Sequence, residues 1–259
     1  MSVGESKIIS AAVVLIGNEL LSGRTTDANL SYIAKGLQLK GIRLIEARVV
    51  QDTEDAIVQA INSLRRECTY VLTTGGIGPT HDDITADCIA KAFSVEISIN
   101  PEAKAVLLEY FDKRGVEAND DRMRMARIPH GATLIDNPVS AAPGFRMDNV
   151  FVLAGVPRIM QAMFDNVLPA LDAGPRIASY TVVCDLAEGT IASALRELQD
   201  AHPSIDIGSY PGNVIGQGRL SIVIKGADTG KLKETAEQLT TSIQKLGGSV
   251  LELMPDPPD

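Results

Sequence analysis

Three apolar or β-branched runs, residues 8–16, 42–50 (IRLIEARVV) and 70–74 (YVLTT), alternate with segments of helical spacing, and this alternation constrains the fold more than any other feature. Between the first two runs Leu30, Ile33, Ala34 and Leu37 share one helical face, and Gly41 follows as a C-terminal stop. Between the next two, Ile57, Ile61 and Leu64 do likewise. The order βαβαβ predicts a parallel sheet with helices packed on it, an α/β domain.

Beyond residue 74 the pattern predicts a helix over 84–93, a strand at VEISI and a helix that opens at Pro101 and ends near residue 114. Residues 119–145 are less regular. Two β-like runs then flank Asp148-Asn149, a suitable two-residue hairpin turn. A last amphipathic segment, RIMQAMFDNVLPALDAG, closes at Gly174-Pro175, which is taken as the domain boundary, so that residues 1–174 and 175–259 form separate domains. The second of these reads strand 177–184, helix 188–201, strands 205–210 and 219–225, helix 230–246, strand 249–253. That βαββαβ order is the split pattern of small ferredoxin-like α+β domains. The closing PDPPD has too little apolar content to fold and is expected to be loose.

In an open parallel sheet, ligands bind beyond the carboxyl ends of the strands. The connections leaving the first three strands are GNELLSGRTTDAN (17–29), QDTED (51–55) and GGIGPTHDDIT (75–85). All three belong at one edge, which gathers Glu19, Asp27, Asp52, Asp82 and Asp83 with Gly17, Gly75, Gly76 and Gly78. A glycine-rich turn feeding a helix offers bare N–H groups to phosphate. Carboxylates beside such a turn make chemical sense if a divalent cation sits between them and the phosphate, since Mg²⁺ or Mn²⁺ binds through one or two carboxylates plus phosphate oxygens. Asp82 or Asp83 can equally cap the following helix, Asp27 can cap the first, Asp52 can be a turn residue and Glu19 a solvated loop charge.

The net charge of −9 excludes a broad phosphate-neutralising track, so nucleic acid is not an expected partner. Cys68, Cys88 and Cys184 are odd in number and far apart, which fits a reducing cytoplasm, and Cys88 reads as a buried, inert thiol. His81 has no partner at metal-ligand spacing, and His130 and His202 read as surface residues. No apolar run approaches the roughly 18 residues that span a membrane.

The segments GNELLSG, LTTGGIGPTHDDITADCIA, NPVSAAPGF and LAGVPRIMQAMFDNVLP resemble, in order and spacing, the signature segments of the N-terminal domain of the CinA (competence/damage-inducible) family, itself of the MoaB/Mog molybdopterin-binding fold. The resemblance covers residues 8 to about 170. Residues 176–254 resemble the KH-like middle domain of CinA proteins, and IDIGSYPG is closer to the molybdopterin-binding-like region of eukaryotic FAD synthases. The expected architecture is a three-layer, mostly parallel sheet domain followed by a small α+β domain. The amidase domain of CinA proteins and the FAD-forming domain of the synthases have no counterpart here, so neither activity is carried over.

The resemblance implies hydrolysis of a dinucleotide-like pyrophosphate, ADP-ribose or FAD, with a divalent metal (Mg, Mn or Co) and potassium, in a homodimer or homotrimer. It places Asp83 at the critical acid of the Mog-type motif and Asp52 at a second, with Glu19 as the third catalytic and metal-binding candidate. Substrate contacts are expected from Gly17, Asn18, Asp27 and Asn29 in the first loop, and from Gly75, Gly76, Gly78, Pro79, Thr80, Asp82 and Thr85 in the third. Further contacts are expected from Asn137, Pro138, Gly144, Gly155 and Pro157. Ile77 stands where the motif has threonine, which weakens the case for a molybdopterin adenylyltransferase. A molybdopterin-binding protein and a non-catalytic nucleotide-binding module are the competing functions that the same residues allow.

Overall fold

The computed structural model describes residues 9–175, 177–212 and 219–256. Residue 8 of the expected first strand and residues 257–259 of the expected loose tail lie outside them. The described chain divides at Gly174/Pro175 into two units.

The first unit runs β1 (Ser10–Ile16), α1 (Asn18–Leu21), α2 (Asn29–Leu39), β2 (Arg43–Val50), α3 (Glu54–Glu67), β3 (Tyr70–Thr74), α4 (Thr85–Phe93), β4 (Ile97–Ile99) and α5 (Pro101–Asp112). It continues through α6 (Asp120–Met123), a 3-10 turn (Arg124–Ala126), β5 (Arg127–Pro129), β6 (Thr133–Ile135), β7 (Gly144–Met147), β8 (Val150–Leu153) and α7 (Pro157–Val167). Six strands form one sheet in the order β2-β1-β3-β8-β7-β6, in which β2, β1, β3 and β8 pair in parallel and β7 runs antiparallel to both of its neighbours, β8 and β6.

The apolar run of β1 is buried on both faces, and its residues alternate between two cores. Ala12, Val14 and Ile16 pack with Ile57, Ile61 and Leu64 of α3 and with Cys88 and Ile89 of α4. Ala11, Val13 and Leu15 pack with Ile33 and Leu37 of α2 and with Met160, Met163 and Phe164 of α7. The domain is therefore three layers, helix on sheet on helix. Gly41 ends the α2 segment with φ +71, and Asp148 takes φ 53 in the β7–β8 hairpin turn.

The strand expected at VEISI forms over Ile97–Ile99 and pairs with β5 in a separate two-stranded sheet. One expectation changes. The tail is not wholly loose, because Pro255 and Asp256 continue the last strand opposite Tyr180 and Ser179. Neighbouring backbone, rather than apolar content, carries the chain to that point.

The second unit is β9 (Ala178–Cys184), α8 (Glu188–Ala201), β10 (Asp206–Pro211), β11 (Leu220–Gly226), α9 (Thr229–Lys245) and β12 (Val250–Asp256). Its antiparallel sheet has the order β10-β11-β9-β12, the arrangement that the split βαβ pattern requires. Val182, Cys184, Ile222 and Ile224 face Ile191, Leu198, Leu232 and Leu239 of the two helices.

Candidate functional site

The four parallel strands end side by side: Ile16 opposite Val50, Leu15 opposite Thr74, and Thr74 opposite Leu153. Their outgoing loops therefore meet at one edge. The loop between β6 and β7 arrives at the same edge, because Ile135 pairs with Gly144 there. Together they enclose a cavity of about 410 Å³, within the range of small-ligand sites.

The floor is the turn after β3. Gly75 and Gly76 take φ +103 and +68, conformations that an L side chain resists. Among the described residues the N–H groups of Gly76, Ile77 and Gly78 have no hydrogen-bond acceptor, while Gly75 N donates to Leu153 O and Thr80 N to Asp83 Oδ2. Three successive free amides in a turn that lines a cavity are donors of the kind anion-binding nests use. Thr85, fully buried, holds the turn by donating from Oγ1 to Gly75 O (3.0 Å) and from its amide to Gly76 O (3.0 Å).

Asp83, Asp82, Asp52 and Glu19 all line the cavity, with Gly17, Gly75, Gly76, Gly78, Pro79, Thr80, Asn137 and Gly155. Neither Asp82 nor Asp83 caps α4, whose N-cap position is Ile84 with no side-chain bond. Asp83 Oδ2 instead accepts from Thr80 N (2.8 Å) and Thr80 Oγ1 (2.6 Å), which fixes the carboxylate against the turn. Asp82 Oδ1 shares the single proton of the same hydroxyl with Asp83, and that contact holds the exposed Asp82 carboxyl below its usual range. Asp52 Oδ2 accepts from Asn18 N (2.6 Å), joining the first and second loops.

Asn137 is 3 % exposed and organises its loop through four bonds. Its Nδ2 donates to Ser140 Oγ (2.8 Å) and Ala142 O (2.7 Å), and its Oδ1 accepts from Val139 N and Ser140 N (3.1 Å each).

Several expected contact residues lie elsewhere. Asp27 does not line the cavity; it accepts from Asn29 N (3.2 Å) and Leu30 N (2.9 Å) and so serves the start of α2. Asn29 is buried, and its Nδ2 donates to Gly155 O (2.8 Å), positioning that loop from behind. Asn18, Thr85, Pro138, Gly144 and Pro157 are likewise outside the lining. Gly144 is needed for packing, since a Cβ there would meet Val152 O at 2.2 Å.

Asp83, Asp52 and Glu19 do not form a preassembled three-carboxylate cage: among the described residues no three His, Cys, Asp or Glu side chains come together closely enough to hold an ion. The donor set still suits a hard cation that takes one or two carboxylates and completes its shell with substrate oxygens and water. His81 is almost fully exposed, and Cys88 is buried with its thiol pushed up to about 12 by burial. The cavity also contains residues not named among the candidates: Met125 from the 3-10 turn, Ser140 and Ala142 beside Asn137, and Val156 and Ile159 around the start of α7. Ser140 and Ala142 fall within NPVSAAPGF and Val156 and Ile159 within LAGVPRIMQAMFDNVLP, so those motifs pointed to their segments; nothing in the sequence pointed to Met125.

Fold and cavity together define an α/β domain that presents a backbone anion cradle and facing carboxylates at the carboxyl edge of its sheet. The chain belongs to the family described as "Probable molybdopterin binding domain", which matches residues 12–173, and residues 176–247 match "FAD synthase, middle domain". A protein of Pyrobaculum arsenaticum is 36% identical over 255 residues, covering 92% of this chain and 96% of its own length. One from Aeropyrum pernix is 31% identical over 258 residues, covering 93% and 96%. The crystal structure of the protein CinA from Thermoplasma acidophilum, described as of unknown function, is similar with TM-score 0.59 and 32% identity, covering 64% of this chain and 99% of that one. Among the described residues no helix is long and apolar enough to cross a membrane.

Proposed function

We propose that the first unit hydrolyses the pyrophosphate bond of a dinucleotide-like substrate, ADP-ribose, FAD or a relative, releasing AMP and a second monophosphate. The observation that carries this reading is that Gly76, Ile77 and Gly78, whose amides are free, line one cavity together with Asp83, Asp52 and Glu19.

The amides receive phosphoryl oxygens and meet the charge that builds on them as water attacks, with no reorganisation at that moment. Asp83, immobilised by Thr80, and Asp52, tied to Asn18, would hold a divalent cation together with the substrate. When bound, such an ion neutralises phosphoryl charge and acts as a Lewis acid. Asp52 keeps Oδ1 and Glu19 keeps its whole carboxylate for orienting the attacking water and accepting its proton. Water adds to one phosphorus, the bridging P–O bond breaks, and the leaving monophosphate departs from the cradle.

The test is incubation with ADP-ribose, FAD, NADH and CoA under Mg²⁺, Mn²⁺ or Co²⁺, with chromatography for AMP or, from CoA, adenosine 3′,5′-bisphosphate. Asp83→Asn keeps an acceptor for Thr80 but loses the charge, and is expected to lower hydrolysis by on the order of 100-fold or more. Near-normal AMP release by that variant would overturn the assignment. The family description of residues 12–173 favours a second reading, molybdopterin binding or adenylylation. Tight molybdopterin binding without pyrophosphate cleavage of any of the four compounds would select it.

A further inference from the structure

Arg124 opens the 3-10 turn between α6 and β5, a segment without a sequence signature. Its Nε is buried and has no hydrogen-bond partner, and among the described residues no carboxylate lies within ion-pair range of its guanidinium. Arg127, three positions on, is settled by contrast: NH1 and NH2 donate to Asp87 at 3.0 and 2.6 Å. Both arginines line a recess of about 20 Å³ beside the main cavity, with which it shares Gly76, Ile77, Gly78, Asp83 and Met125. The remaining wall is Asp87, whose carboxylate is taken up by Arg127, and the apolar Ala86, Ile128, Pro143 and Phe145. A buried donor on a charged group without an acceptor is costly, and a low-dielectric wall raises the cost.

The size of the recess decides what can satisfy it. About 20 Å³ admits one water-sized group and not a whole phosphate. A single oxygen projecting from a diphosphate already seated on the neighbouring amides fits. We propose that Arg124 is a substrate-binding residue that donates to an oxygen of the second phosphate of a diphosphate held on the Gly76–Gly78 turn, so that the site prefers diphosphates to monophosphates. The inference rests on the reading that the main cavity receives a pyrophosphate.

Calorimetry on the full chain with AMP and with α,β-methylene-ADP, whose bridging carbon prevents cleavage, tests it. The wild type is expected to bind the methylene diphosphate on the order of 10- to 100-fold more tightly than AMP, the range of a charge-assisted hydrogen bond. Arg124→Met should erase that preference and leave AMP binding within about twofold, and Arg124→Lys should restore part of it. The ligand-free Tm of Arg124→Met should stay level or rise, because an unpartnered N–H is replaced by apolar atoms; a purely structural arginine would lower it. Arg124→Gln, which retains a donor, gives the same comparison if the Met variant does not fold. An unchanged preference in the variants, or none in the wild type, overturns the assignment of Arg124. AMP release from ADP-ribose by the wild type reports separately on the hydrolytic reading, which survives that failure.

Discussion

Gly75→Ala is the sharpest test of how the cavity floor is built, because two independent costs fall on one methyl group. At φ +103 any residue with a Cβ is strained, and the Cβ would sit 2.2 Å from Ile16 O, a backbone atom at the end of the neighbouring buried strand. Gly23→Ala is the control: φ is +70 and nothing lies within 4 Å of the added carbon, so it carries strain alone. Conformational strain costs about 1–3 kcal/mol at Gly75 and about 1–2 kcal/mol at Gly23, and forcing a clash in a packed site adds about 1–3 kcal/mol at Gly75 only. The totals are about 2–6 kcal/mol against about 1–2 kcal/mol. For a unit of this size they correspond to Tm losses of roughly 4–24 °C and roughly 2–8 °C in scanning calorimetry. Equal losses in the two variants would refute the claim that the approach of β1 and β3 dictates glycine at position 75.

Asn137→Ala removes all four bonds that organise its loop and is expected to cost about 1–3 kcal/mol, with faster hydrogen exchange at the Val139 and Ser140 amides and weaker nucleotide binding. Cys88, its thiol raised from an ordinary 9.0 to about 12 by burial, should resist alkylation at pH 8 until the protein unfolds. Above pH 9 the unfolded chain ionises this thiol while the folded one does not. Its contribution should therefore lower stability progressively from pH 9 to about 12, and Cys88→Ser should flatten that part of the denaturation profile.

The strands and helices of the first ninety or so residues are legible because each is long enough to show its period, and a parallel βαβ order fixes which loops share an edge. That reasoning is enough to assign Glu19, Asp52 and Asp83 to one edge, where the cavity lining includes all three. The region from 119 to 135 resists reading for a physical reason: its elements are three or four residues long, shorter than one cycle of helical evidence and too short for strand alternation. Arg124 and Met125 reach the site from within it. Asp27 and Thr85 show the opposite limit. Their residue types suit both ligand contact and backbone capping, and only the position of the accepting or donating backbone group separates the two roles.

The clamps behind the cavity floor have a consequence for how the site can fail. Thr85 of α4 holds the carbonyl of Gly75, Asn29 of α2 holds that of Gly155, and a Cβ on Gly155 would come within 3.1 Å of Gly75 Cα. The two helices belong to opposite cores of the sheet. Each helical layer thus keeps one of two glycines that rest against each other. A partly unfolded form that sheds either layer loses a wall of the binding site at once, so ligand should protect both cores from exchange together.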